Sequence, residues 1–324
     1  MLKPLSPLTC RPPQNDREYT VTFDGFTCRV EDGGRPVLIA GAEAHQDTLR
    51  LRLEPLETQD KPELVLGLAL DVLLGHHPEI KNVKVVDPSG HDLSITRGEF
   101  YQNPAVWHRQ GGYVQRPEEW TTTQGRRHPV RETLVPGTFY RRYVAQIQKT
   151  LSLRTIDAEA DLDLFHDWHN QPRVYDLWEL NKPKDELRTY LQKALADAHS
   201  IPMILEADGK PVGYFEFYWG AEDRLAPYYE SEPYDRGLHL LIGEPSFLGV
   251  ENTNAALRSV THFLFLEDAR TQRLVAEPRS DNQRILKYVQ IVPGWRFVKE
   301  FDFPHKRAAL LMASRELFFN GVVL

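Results

Sequence analysis

The sequence predicts an α/β chain built on a mixed sheet, with a smaller α+β domain ahead of it. Two observations predict this. From about residue 149 onward, strand-like and helix-like segments follow in the order β-α-α-β-β-β-α-β-α-β-β, which puts helices on both faces of one sheet. Before that point the segments are short and alternating, with a single helix-like stretch. Domains are therefore expected at 1–148 and 149–324, and a hydrophobic content of 41% over 324 residues can fill a core in each.

In the first domain "EYTVTF" and "DTLRLRL" alternate apolar and polar residues as half-buried strands do, while "KPELVLGLALDVLLG" is helical. The tract from 100 to 140 is rich in Pro, Gly and Arg, shows neither period, and reads as a long wrapping connection. The second domain opens with the strand "LSLRTI" and the helices "DAEADLDLFHDWHN" and "KDELRTYLQKALADA". The strands "IPMILEA" and "KPVGYFEFYW" follow, joined by the turn "ADGKP". Then come the strand "GLHLLIG", the helix "NTNAALRSVTHFLFLED", the strand "TQRLVAEP", the helix "DNQRILKYVQ", and the strands "RFVKEFDF" and "AALLMASREL". A β-α-β segment needs a parallel crossover, so "GLHLLIG" and "TQRLVAEP" are expected side by side. Their C-terminal ends then open on one edge, where ligands of open α/β sheets tend to bind.

The net charge of −7 argues against a general nucleic-acid binder, and the absence of an apolar run of about 18 residues argues against a membrane span. Cys10 and Cys28 are too few for a disulfide scaffold, which suits a reducing cytoplasm. In the opening "MLKPLSPLTC", prolines 4 and 7 interrupt any apolar segment, so no export signal or lipid anchor is expected. His76 with His77, and His166 with His169, lack the H-E-x-x-H arrangement and nearby cysteines, so no metal is expected.

His239 is the polar residue of an apolar strand, and two readings stand beside each other: a hydrogen-bonded core histidine or a group that moves a proton. Ser280, Asp281 and Asn282 stand where a helix begins and all three types cap well, so Asp281 is either a cap or a carboxylate beside His239.

The stretches "FHDWHNQPRVYDLWE", "GYFEFYWGAEDRLAPYY", "YDRGLHLLIGE", "TQRLVAEPRSDNQR" and "KEFDFPHKRAALLM", between about 160 and 312, resemble the aerobactin-type siderophore branch of the GNAT (Gcn5-related N-acetyltransferase) superfamily. The resemblance implies a C-terminal GNAT acyltransferase fold. It also implies acetyl transfer from acetyl-CoA to the hydroxylated side-chain nitrogen of N-hydroxylysine, giving a hydroxamate that chelates ferric iron. His239 and Asp281 are the catalytic pair it points to. An imidazole with a pKa near 6.5 would take the proton of the attacking nitrogen, and Asp281 would fix the imidazole or hold the hydroxylamine.

Donor binding is expected at the backbone of Leu240 or Leu241 for the oxyanion and at Phe247, Leu248, Gly249, Glu251, Asn252, Thr253 and Asn282 for the CoA moiety. The sequence "FLGVENTNA" has Glu251 where relatives carry a basic or glycine-rich loop. Val289 stands where many of the superfamily place an acidic tyrosine, and Tyr288 is one step off. Acceptor recognition is expected at Arg173, Trp178, Glu179, Asp235 and Arg236, because a guanidinium pairs a carboxylate in two-pronged geometry. The expected partners are N-hydroxylysine and acyl-CoA, with a homodimer or contact with other siderophore-pathway enzymes left open. The same chemistry on N-hydroxyornithine or hydroxycadaverine, or with a succinyl or longer donor, is the near alternative; a noncatalytic acyl-CoA-binding partner of a siderophore synthetase is the distant one.

Overall fold

Alternating burial along short segments builds the first of the two large sheets in the computed structural model, which describes residues 2–56, 61–111, 118–123, 125–132, 135–321 and 324. The chain divides into two units. The first comprises Met1–Val114, Tyr140–Thr150 and Phe319–Leu324, and the second Gln115–Phe139 and Leu151–Phe318. Gln115–Phe139 thus groups with the residues that follow the 148/149 division rather than with those that precede it.

The first unit holds β1 (Leu5–Cys10), β2 (Tyr19–Phe23), β3 (Thr27–Asp32), β4 (Arg35–His45), β5 (Thr48–Leu53), α1 (Pro62–His76), β6 (Asn82–Val86), β7 (Asp92–Thr96) and α2 (Arg97–Gln102). Its seven strands lie in chain order. Only β5 and β6 run parallel, because α1 carries the chain across between them. Proline 62 opens α1, where its missing N–H costs nothing.

The second sheet is formed by β10 (Thr138–Val144), β11 (Lys149–Thr155), β12 (Ser200–Ala207), β13 (Lys210–Trp219), β14 (Arg236–Ile242), β15 (Arg273–Ala276), β16 (Trp295–Asp302) and β17 (Arg307–Ser314). A separate hairpin, β8 (Trp120–Thr123) with β9 (Arg126–Pro129), precedes it. Spatial order is β10-β11-β12-β13-β14-β15-β17-β16, and from β11 onward every neighbouring pair is antiparallel except β14–β15. That parallel pair is joined by α6 (Val250–Glu267), as the β-α-β pattern requires.

One face of the sheet is covered by α3 (Leu162–His169), α4 (Pro172–Trp178) and α5 (Lys184–Ala196), whose Phe165, Trp168, Val174, Leu187 and Leu191 pack with Ile204, Tyr214 and Leu241. On the other face Phe263 of α6 meets Phe217. The chain closes with α7 (Gln283–Gln290) and α8 (Arg315–Gly321).

Four expectations change. The helix read from residue 157 begins at Leu162, because Asp157 accepts the N–H groups of Glu159 and Ala160 and holds a turn there. The stretch "PRVYDLW" is the helix α4, opened by Pro172, and the "REL" at the end of the last strand is helical. The tract 100–140 holds the end of α2, the β8–β9 hairpin and the start of β10.

Candidate active site

Register across three strands assembles the site. Glu216 of β13 lies directly opposite His239 of β14, and the parallel pairing of Gly237 with Val275 brings Glu277, just beyond β15, to the other side of the ring. His239 Nδ1 is 3.0 Å from Glu216 Oε2 and Nε2 is 2.8 Å from Glu277 Oε1. Three tyrosine hydroxyls fill the remaining carboxylate positions: Tyr190 and Tyr214 donate to Glu216, the latter over 2.9 Å, and Tyr218 donates to Glu277 over 2.6 Å. Gly237 makes room for this, since a Cβ there would sit 2.0 Å from the Tyr218 ring.

Burial by itself would lower the histidine pKa. The Glu277 charge and the hydrogen bonds that the ring donates to both carboxylates outweigh it and raise the pKa to about 10. Burial likewise works against ionised Glu277, but the His239 charge dominates and holds it at about 2; Glu216 is also held below its ordinary value, against burial, by its bond to His239. A pKa raised to about 10 favours the cation near neutrality, with both ring nitrogens placed to donate to carboxylates, where an ordinary histidine pKa would leave the ring neutral. Its side chain is 27% exposed, against 11% for Glu216 and 0% for Glu277, so the imidazolium and Glu216 reach the open side.

The strand edge opens here. β14 and β15 pair only at Arg236–Leu274 and Gly237–Val275. Beyond Ala276 the chain turns to β17, with Ala309 N–H bonded to Pro278 O and Ser280 N–H to Arg307 O. Gly220 N–H bonds Asp235 O and Gly243 N–H bonds Val212 O, which fixes the phase of β14: its odd-numbered residues exchange hydrogen bonds with β13. Leu241 is thus committed to β13, and the Leu240 N–H faces the opening. Past it, Phe247 is buried, Leu248 is exposed, and Gly249, at φ 134°, leads into α6. Thr253 N–H closes the first turn on Gly249 O, leaving the N–H groups of Val250, Glu251 and Asn252 as the unpaired donors of a helix start that suits a phosphate.

Of the expected acceptor residues, Trp178 reaches the site, its ring 6.3 Å from that of His239 in edge-on geometry. Glu179, in a left-handed conformation at φ 55°, ends α4 with an exposed side chain. Arg173, Asp235 and Arg236 have partners within the chain. Arg173 donates to the carbonyls of Ile242 and Gly243, Asp235 is clasped by Arg273, and Arg236 is wholly buried over Trp219 and against Glu267. Asn282 caps α7 by accepting from Ile285 N–H, and Asp281, its carboxylate 67% exposed, is forked by Arg279. The carboxylate that fixes the imidazole is Glu277. Sequence reasoning missed Glu216 and Glu277; the signal available was a single charge in each of two apolar strands, "YFEFYW" and "LVAEP". Among the described residues no three His, Cys, Asp or Glu side chains converge as a metal site.

A model of the acetyltransferase (GNAT) domain matches residues 157–303. The N(6)-hydroxylysine O-acetyltransferase of Escherichia coli is 44% identical over 60% of this chain and 62% of its own length. A putative lysine N-acyltransferase of Schizosaccharomyces pombe is 36% identical over 71% of this chain and 68% of its own. An N(5)-hydroxyornithine:cis-anhydromevalonyl coenzyme A-N(5)-transacylase of Beauveria bassiana is 37% identical over 72% and 52%. The chain thus spans less than two thirds of the Escherichia coli relative and about half of the Beauveria one. Among solved structures, an uncharacterized protein of Bacillus halodurans superposes with a TM-score of 0.54 at 31% identity, covering 58% of this chain and 95% of that one. With the parallel β14–β15 pair parting beside a half-buried histidine, and a relative matched over more than two thirds of its length, the chain belongs to the GNAT acetyltransferase family.

Proposed function

We propose that the protein transfers an acetyl group from acetyl-CoA to the hydroxylated side-chain nitrogen of N-hydroxylysine, in the cytoplasm, forming the hydroxamate of an aerobactin-type siderophore. The observation that carries this reading is the cationic His239 held between two ionised carboxylates where β14 parts from β15. The similarity to the hydroxylysine and hydroxyornithine enzymes supports the substrate class. A hydroxylamine nitrogen is a weaker base than an alkylamine, so it is largely neutral near pH 7 and attacks without prior deprotonation. As the C–N bond forms, the Leu240 N–H stabilises charge on the carbonyl oxygen. The nitrogen proton passes to Glu216, which His239 and the tyrosines keep ionised and which is the more accessible of the two carboxylates. Cleavage of the C–S bond then expels CoA as the thiolate, which takes up a proton from solvent while Glu216 returns its proton to solvent, with the start of α6 holding the donor's pyrophosphate.

The test is free-thiol release with hydroxylysine, paired with ferric-hydroxamate absorbance of the product. Thiol release with hydroxamate colour is expected. Thiol release without it would mean transfer to the hydroxyl oxygen, and no release with any hydroxylamine would overturn the reading.

Asp281 is proposed as the residue that accepts the hydroxyl hydrogen of the acceptor. Since the helix cap is Asn282, Asp281→Asn is expected to leave Tm unchanged while narrowing the preference for hydroxylysine over lysine by about 10-fold, the effect of removing the partner of a substrate O–H. An unchanged ratio of kcat/KM values would confine Asp281 to its pair with Arg279.

A further inference from the structure

Glu277 has more positive neighbours than one carboxylate needs. Its Oε1 lies 2.8 Å from His239 Nε2, 3.8 Å from Arg224 Nη2 and 3.9 Å from Lys306 Nζ. Three cations face the two anions Glu216 and Glu277, an excess of one positive charge. Around them Arg279 is forked by Asp281, and Asp223, whose charge also attracts Lys306, lies 3.3 Å from His199. Burial lowers the Lys306 pKa against the pull of Glu277; the charges of Arg224 and Arg279 add to the lowering and that of Asp223 opposes it. An excess charge in a partly buried place is stabilised by an anionic ligand.

The two side chains are also built to receive one. Arg224 Cζ and Lys306 Nζ lie 5.6 and 5.5 Å from the centre of the same Phe303 ring, which is buried and fixes both stems. The Arg224 side chain is 54% exposed, and its distance to Glu277 exceeds that of a hydrogen bond, so the guanidinium fork remains available. Lys306 uses one donor on the Glu277 carbonyl, at 2.7 Å, and has two more. Glu179, whose charge acts on both Arg279 and His305, adds an exposed carboxylate near these bases.

We propose that Arg224 and Lys306 hold the carboxylate of the acceptor, so that the protein selects a hydroxylated amino acid over a hydroxylated diamine. This rests on the reading of the site as an acyltransferase centre and assigns the end of the acceptor remote from the reacting nitrogen, with Glu179 placed to meet its ammonium. Arg224 and Lys306 take the role that the sequence had suggested for Arg173 and Arg236, whose guanidinium groups are engaged elsewhere.

The experiment compares hydroxylysine with hydroxycadaverine, which has the same chain without the carboxylate, in the wild-type protein and in Arg224→Gln and Arg224→Lys. Wild type is expected to prefer hydroxylysine by about 10²-fold in kcat/KM, the scale of one lost charge-assisted contact. In Arg224→Gln that preference should fall below about 10-fold, chiefly through KM, and Arg224→Lys should restore part of it. Calorimetric titration with lysine and cadaverine decides the same point without turnover: lysine binding that exceeds cadaverine binding in wild type and loses its advantage in Arg224→Gln supports the proposal even if no hydroxamate forms, which would count against the reaction alone. Equal loss for both acceptors, equal binding of both ligands in wild type, or a loss seen in the KM for acetyl-CoA instead would overturn it.

Discussion

His239→Ala is expected to lower kcat for hydroxylysine by about 10²-fold or more, the usual scale for a lost proton-handling group, in the thiol-release assay. The ring is the cation that lets Glu216 and Glu277 stay ionised on either side of it, at 3.0 and 2.8 Å. Without it the two carboxylates face each other across an empty volume in a poorly solvated place, and one of them takes up a proton near neutrality. The proton acceptor for the attacking nitrogen is then lost. Acetyl-CoA affinity should hold within a few-fold, because the donor sites proposed at Leu240 and the start of α6 are backbone groups. Normal turnover in a variant with native Tm would return His239 to the role of a core histidine.

The same geometry sets the pH dependence. With its pKa raised to about 10, the imidazolium keeps its proton across the neutral range, so kcat at saturating acceptor should run level through pH 6.5 and fall only as the pH approaches 10. An inflection near 6.5 in kcat would mean that a neutral imidazole does the proton transfer after all.

Most of the sheet was legible because its strands carry their periods locally. The parallel β14–β15 pair followed from one β-α-β segment, and α5 and α6 from apolar spacing. The short helix α4 was not legible, since its seven residues make just under two turns and its burial rests on Val174 alone. His239 stood out as a polar residue among leucines. Its partners did not, because they come from positions 23 and 38 residues away, and which residue faces which depends on strand register. Glu216 sits between phenylalanines, where an alternating pattern reads as pocket wall. Arg173, Asp235 and Arg236 show the converse: a charged group that looks free in sequence is engaged by carbonyls or by an oppositely charged residue that only the tertiary fold supplies.

Glu277→Gln should be the most destabilising of the substitutions considered, by about 3–5 kcal/mol, the cost of removing one member of a buried ion pair and leaving the other behind. For a unit of this size that is on the order of 10 °C in Tm. The side chain is isosteric, so the loss comes from charge: Glu277 is wholly buried, receives His239 Nε2–H and the Tyr218 hydroxyl, and faces Lys306 and Arg224. The sign of the pH dependence separates this from a packing defect. His239, raised from 6.5 to about 10, contributes fully below about 6.5 and loses its contribution as pH rises toward 10. Glu277, lowered from 4.5 to about 2, contributes fully above about 4.5 and loses its contribution as pH falls toward 2. The gap between wild type and variant should therefore be widest between about pH 4.5 and 6.5 and shrink on both sides, as measured by denaturant unfolding of the two proteins across that range. A gap that stays constant from pH 4 to 9 would show that the amide is merely a poorer fit, and that the charge on Glu277 does not hold the imidazolium in place.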